Sequence, residues 1–205
     1  MFASAKVSSS VCVFSKRPRE YVPKFSLSIS WRPLAGIVDK NRIGVTGGSY
    51  GGYMTVKLIG KTDFFAAAAG QRVFVNPGTS YGTGDVGWVS AGGIPPHFTM
   101  LRYLQDRARG SNVSRVDNIH IPLLLLHGYK DYRCTFEQAE QLFIPLKERH
   151  PDVPLRLVMF PNENHALTRT GNMKAQERHL QEIVDWFVRY LQGKEEAPDE
   201  KESHD

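Results

Sequence analysis

At 205 residues, 41% of them apolar, the chain is long enough for one domain with a sizeable core. Its two cysteines, Cys12 and Cys134, cannot build a disulfide framework; no apolar run reaches membrane-spanning length, and no repeat of propeller scale recurs. The formal charge of +5 is uneven, but the basic residues are not interleaved with aromatics and no binding motif accompanies them, so neither nucleic acid nor membrane is an expected partner.

Residues 1–34 carry Lys6, Lys16, Arg17, Arg19, Lys24 and Arg32 against a single acid, Glu20, and are rich in serine. That composition suits a mitochondrial or plastid targeting peptide. We read it instead as a basic, Ser-rich extension of the domain, and the scarcity of cysteine as a sign of the cytoplasm, with the organelle as the alternative. The apolar stretch at residues 11–14 is too short for a secretory signal. Residues 43–45 form the first predicted strand. It leads into Gly47-Gly48-Ser49-Tyr50-Gly51 and a helix over residues 50–59 that Gly60 stops. A G-x-S-x-G between strand and helix is the nucleophile elbow of α/β-hydrolases. The turn is so tight that the serine hydroxyl is thrust clear of the sheet, and glycines let helix and strand pass closely. The Tyr50 backbone N–H then falls at a helix N-terminus, where it can stabilise a developing oxyanion.

Residues 66–73 read as the next strand, although alanine is a poor strand former. The Gly-rich residues 77–96 read as a loop that lines a pocket, with Tyr81 and Trp88 as aromatics that either shape that pocket or cover the edge of the core. Pro122 and the four leucines after it make a continuous apolar run, as in a strand buried on both faces. Asp131 lies in the loop just past its carboxyl end. Thr135 and Gln138 fit a capping box for a helix with an apolar stripe at Ala139, Leu142, Phe143 and Leu146. Pro145 should kink that helix or end it early. Residues 155–160 form another strand, closed by Pro161 and followed by His165. A last helix should bury Leu180, Ile183, Val184, Phe187, Val188 and Leu191, and an acidic, disordered tail occupies residues 193–205. Ligand sites of open α/β sheets form beyond the carboxyl ends of the strands, and Ser49, Asp131 and His165 each stand at such an end, in the order a hydrolase triad uses.

Other residues have plainer readings. Met54 and Met159 are core filler. His97, His120, His150, His179 and His204 sit in polar contexts and should face solvent. His127 lacks any metal-ligand spacing with Asp131 and His165, so no metal or other cofactor is expected. Cys134 stands beside Arg133, a neighbour that would lower a thiol pKa.

The segment from Thr46 to Thr55 (TGGSYGGYMT) resembles the nucleophile region of the prolyl oligopeptidase family, in its acylaminoacyl-peptidase and dipeptidyl-aminopeptidase-like branch. Further signatures are Leu126-His127-Gly128 with Asp131, Arg133 and Cys134, then residues 138–143, Asn164-His165 with Leu167, Arg169 and Gly171, and Trp186-Phe187. The resemblance runs from about Val38 to Leu191. It implies an α/β-hydrolase domain over residues 35–192, and a serine peptidase hydrolysing short or acylated peptides through an acyl-enzyme. Ser49 would be the nucleophile, His165 the general base and Asp131 its orienting carboxylate. Arg133 would bind a substrate carbonyl. Two departures are Pro145 and residues 108–113, where the family usually has a Ser-Pro.

The family places about half its sheet, and the loop giving a second oxyanion donor, ahead of the serine strand. Residues 1–41 contain no His-Gly-Gly-like segment. The expectation is therefore the C-terminal portion of a hydrolase domain, with impaired activity and an exposed sheet edge open to self-association. Alternatives are an inactive fragment that acts as a binding module, and an esterase using the same triad.

Overall fold

The computed structural model describes residues 41–86 and 99–193. The basic extension, Trp88, His97, His204 and the acidic tail from residue 194 lie outside them.

Four parallel strands lie side by side in chain order: β1 (Gly44–Ser49), β2 (Ala67–Val73), β3 (Leu123–Gly128) and β4 (Leu155–Phe160). Parallel neighbours need crossover connections, and helices supply them. These are α1 (Tyr50–Ile59) between β1 and β2, then α2 (Pro77–Thr83) and α3 (Met100–Ala108) with a 3-10 turn (Val113–Asn118) before β3, and α4 (Glu137–Arg149) before β4. After β4 come the short α5 (Leu167–Thr170) and the long α6 (Met173–Gln192). This is the layered α/β arrangement expected of the sequence.

The leucine run explains the three layers. Alternate side chains of a strand point to opposite faces. Leu123 and Leu125 join Val56 and Ile59 of α1 and Ala139, Leu142 and Leu146 of α4 on one face. Leu124 and Leu126 join Phe160 and Trp186 on the other, where Ile183, Phe187, Tyr190 and Leu191 of α6 pack against them. All four leucines are at most 1% exposed. Burying each such side chain is worth about 1.5–3 kcal/mol. Ala67, Ala68 and Ala69 of β2 are wholly buried in the same two clusters. Packing on both faces thus overrides alanine's weak strand preference.

Several elements differ from their sequence reading. β1 runs on through Gly47 and Gly48 to Ser49 rather than stopping at residue 45. Part of the expected Gly-rich loop is α2, which starts at Pro77 behind an Asn76 cap whose side chain accepts from the Gly78 N–H at 3.1 Å. Proline at the first helical position behind an asparagine cap is a helix start that the glycines obscured. Tyr81 therefore sits on a helix, its ring edge-on to buried Tyr103 of α3 with centroids 5.1 Å apart, so it covers the core edge.

The capping box at α4 does not form. Gln138 is fully buried, and its Oε1 accepts from the N–H groups of Val75 (3.0 Å) and Asn76 (2.8 Å). Those donors lie just past β2, where the strand ladder no longer serves them, and buried amide groups must find partners. α4 continues past Pro145 to Arg149 rather than ending early. Residues 110–112, read as a departure from the family, are firmly tied down. Tyr53 Oη donates to Gly110 O, Asn112 Nδ2 donates to Tyr53 O and Asn112 N donates to Val75 O, each at 2.8 Å.

The buried arc of α6 is also rotated from the expected one. His179, Glu182 and Trp186 are buried, whereas Leu180 is 62% and Val184 37% exposed. Trp186 brings the larger apolar surface, and Glu182 can be buried because Arg156 (3.1 Å) and Arg178 (2.7 Å) both pair with it.

Candidate active site

The turn from β1 to α1 contains no loop residue, so one residue must reverse the chain. That residue is Ser49, at φ 60° and ψ −121°, a region costly for any residue with a Cβ. A Cβ on Gly47 would stand 2.5 Å from the Gly51 carbonyl oxygen, so the helix can follow the strand this closely only because residue 47 is glycine. Tyr50 opens α1, where backbone N–H groups lack helical acceptors; its ring stacks on Tyr53 with centroids 5.5 Å apart.

The loops after β3 and β4 are stitched together. Tyr129 N donates to Phe160 O (3.0 Å) and Lys130 N to Glu163 O (2.9 Å). A Cβ on Gly128 would run into the Glu163 backbone, so this approach too requires glycine. The Asn164 side chain accepts from Ala166 N at 2.8 Å and shapes the turn carrying His165. Buried Glu163 accepts from Asn172 N at 3.1 Å and ties that turn to the start of α6.

These turns bring Ser49, His165 and Asp131 into one hydrogen-bonded chain. His165 Nε2 lies 3.0 Å from Ser49 Oγ, and Nδ1 lies 2.8 Å from Asp131 Oδ2. The Asp131 side chain is fully buried. Its Oδ1 accepts from the N–H groups of Arg133 and Cys134, both at 2.9 Å, which turns Oδ2 toward the imidazole. With Nδ1–H given to the carboxylate, Nε2 presents its lone pair to the serine hydroxyl. The arrangement can accept a proton from Ser49 and hold the resulting imidazolium.

Arg133 lies at the rim, half exposed, with Nε 2.7 Å from Asp85 Oδ1 and Nη2 3.2 Å from Asp85 Oδ2. The Asp85 hydrogen bond and charge push its pKa up further. The pair leaves Nη1 outside it.

Three neighbours depart from the sequence reading or escaped it. The Cys134 thiol is pushed up to about 12, chiefly by burial and then by the Asp131 charge; a side-chain hydrogen bond with Ser49 and the cations Arg72 and Arg133 offset this only partly. The lowering expected from Arg133 is thus overturned, and the thiol stays protonated beside Ser49. His127 lies behind Asp131, with Nε2 2.6 Å from Cys134 O and 3.6 Å from Asp131 Oδ2. Burial holds its pKa down, so it is a neutral ring donating Nε2–H to that carbonyl. His179, expected at the surface, is 4% exposed, and burial followed by the Arg72 charge lowers its pKa to about 4. His120 is exposed, while His150 is half-buried with Nε2 3.1 Å from Val116 O. Met54 is buried as expected. Among the described residues no group of three or more His, Cys, Asp or Glu could hold a metal ion, and no helix is long and apolar enough to cross a membrane.

A parallel α/β sheet with a strained serine between strand and helix defines an α/β-hydrolase. The chain belongs to the prolyl oligopeptidase family, whose sequence model it matches over residues 31–194. It is 42% identical over 156 residues to the uncharacterized peptidase YuxL of Bacillus subtilis (strain 168), a match covering 75% of this chain and 23% of that protein. Over 162 residues it is 34% identical to the acylamino-acid-releasing enzyme of Arabidopsis thaliana, covering 76% of this chain and 20% of the relative. The chain thus spans about a fifth to a quarter of the length of these relatives. Among solved structures, the acylaminoacyl peptidase of Pyrococcus horikoshii superposes with a TM-score of 0.72 at 27% identity, over 82% of this chain and 27% of that one. An acylaminoacyl peptidase in complex with Z-Gly-Gly-Phe-chloromethyl ketone superposes with a TM-score of 0.71, also at 27% identity and over the same shares of the two chains.

Proposed function

We propose that the chain carries a serine peptidase centre that hydrolyses short or acylated peptides. The observation that carries the reading is the Ser49–His165–Asp131 chain, with contacts of 3.0 and 2.8 Å, at a strained serine. His165 takes the Ser49 proton as Oγ bonds to the scissile carbonyl carbon, and Asp131 stabilises the imidazolium. The carbonyl oxygen becomes an oxyanion, with the Tyr50 N–H as donor. His165 then returns the proton to the leaving amine as the C–N bond breaks, and water releases the acyl group by the same steps. Membership of the family and the peptide ketone bound by a 27% identical relative support a peptide as substrate. Arg133 contributes a donor to a substrate carbonyl or terminal carboxylate, with Asp85 holding its fork in place.

Incubating the 205-residue chain with a fluorophosphonate probe tests the centre. Labelling that disappears in Ser49→Ala is expected, because the probe reports an activated serine. No labelling of well-folded wild-type chain would overturn the reading. Turnover of acylated peptides above that of matched simple esters is expected as well; the reverse order would favour an esterase.

A further inference from the structure

Among the described residues, two that are not glycine have a positive φ: Ser49 at 60° and Arg72 at 39°. They meet across the β1–β2 pair. Gly48 is opposite Gln71 and Ser49 is opposite Val73, so Arg72 is the extra residue of a bulge set against the serine turn. Bulges re-aim side chains, and this one aims a guanidinium at the turn. A Cβ on Gly48 would stand 2.7 Å from Arg72 Nη2 and 2.8 Å from Cζ, so glycine there admits the guanidinium against the backbone just before Ser49. Nη1 donates to Thr168 Oγ1 at 3.3 Å, three residues after His165. Nε is buried without a partner, and among the described residues Arg72 forms no salt bridge. The charge nonetheless feels Asp131 and Cys134 favourably and Arg169 unfavourably, and it also acts on His127 and His179.

The fork of an arginine is most strongly satisfied by a carboxylate, through paired hydrogen bonds. Here a strained backbone holds an incompletely satisfied cation between the serine turn and the segment following His165. Resting on the peptidase reading above, we propose that Arg72 is a positioning residue for acyl transfer: its guanidinium backs the turn at Gly48, ties it to Thr168 and so fixes the Ser49–His165 distance. Such a role acts on the reaction step rather than on substrate capture, because Arg72 works through the backbone of residue 48 and the Thr168 hydroxyl. Small errors in the placement of reacting groups cost about 100-fold in rate.

Histidine NMR and kinetics on the full 205-residue chain test this together. In Arg72→Gln, kcat should fall about 100-fold with KM nearly unchanged. Arg72→Lys should recover only part, since lysine keeps the charge without the planar fork. In ¹⁵N-histidine-labelled chain, the His165 Nε2 signal of Arg72→Gln should move toward its position in Ser49→Ala, while the Nδ1 proton bound to Asp131 keeps its wild-type shift. Wild-type Nε2 signals in whichever of the two variants folds would overturn the proposal, as would a loss of rate carried wholly by KM. The NMR reading does not need turnover. A chain that fails to label with fluorophosphonate would sink the peptidase reading, and the Nε2 signal would still decide the role of Arg72.

Discussion

β3 passes within a few residues from one kind of interior to another. Its leucines, residues 123–126, are buried among apolar neighbours on both faces, and their burial needs no partner beyond close packing. His127 and Asp131, one and five residues further on, are as deeply buried but polar, and each is held by specific bonds to the turn at Cys134. The strand bodies gain stability from burial. At the carboxyl ends, burial instead raises the cost of any polar group left unserved, and it is there that strained Ser49, strained Arg72 and the orphaned His127 Nδ1 are found. Among the described residues, both non-glycine residues with positive φ stand where the chemistry is proposed to occur.

The comparison breaks first on rate. Ser49→Ala should lower peptide turnover by roughly 10⁴–10⁶-fold, the range for removing a member of such a unit. Its effect on unfolding should be small. Ser49→Gly should be equally inactive yet more stable by about 1 kcal/mol, because relief of a strained φ outweighs the added freedom of glycine in the unfolded chain. Urea unfolding that shows the glycine variant less stable than wild type would mean Ser49 is not strained. Leu125→Ala should do the opposite. It should cost about 2–5 kcal/mol in urea unfolding while activity per folded molecule is retained. A large loss of activity at full stability would dissolve the distinction between the two regions.

Much of the strand bodies and of the Ser49–Asp131–His165 convergence was legible in the sequence, because each is written locally. The leucine run needs only its own length to read as a buried strand, and each of the three positions ends a strand or closely follows one. What escaped depends on contacts distant in sequence. Gln138 serves amides 62 and 63 residues away, and its spacing from Thr135 imitated a local cap. His179 looked polar in sequence, yet its ring lies 5.8 Å from that of Phe160. The apolar positions of α6 placed Ile183, Phe187 and Leu191 on the core but missed how far the arc turns, because Glu182 is buried through two arginines that a hydropathy reading does not count. Arg72 left no local signal, since its bulge exists only in register with β1.

Gln138 offers a sharper test, lying where the leucine core gives way to the polar end of β2. Gln138→Leu preserves apolar packing but leaves the Val75 and Asn76 N–H groups without their acceptor. The expected loss is about 1–3 kcal/mol, the cost of unsatisfied buried donors. Hydrogen exchange at those two amides should accelerate beyond the global change. Unchanged protection at both would show that water or another group replaces the side chain without penalty.

The smallest effect at neutral pH should come from His179, and acid should enlarge it. In the fold its pKa is about 4, below the ordinary 6.5, because burial and the Arg72 charge disfavour the imidazolium. Between those two values the unfolded chain binds a proton that the folded chain refuses. Stability must therefore fall as pH drops from about 6.5 toward 4, and this contribution levels off below 4, where both states are protonated. His127, also depressed by burial, has the same sign, and carboxylates add their own slopes, so wild type alone cannot isolate the residue. His179→Leu can, since the difference between the two chains removes what they share. The variant should lose up to about 1.4 kcal/mol per pH unit of the slope in that window, the value for one proton. Its stability near pH 7.5 should stay close to wild type, because neutral His179 already packs against Phe160 as an apolar body. Urea unfolding at intervals from pH 7.5 to 4 gives both slopes. Parallel curves would mean that His179 reaches water in the fold and belongs with the exposed residues.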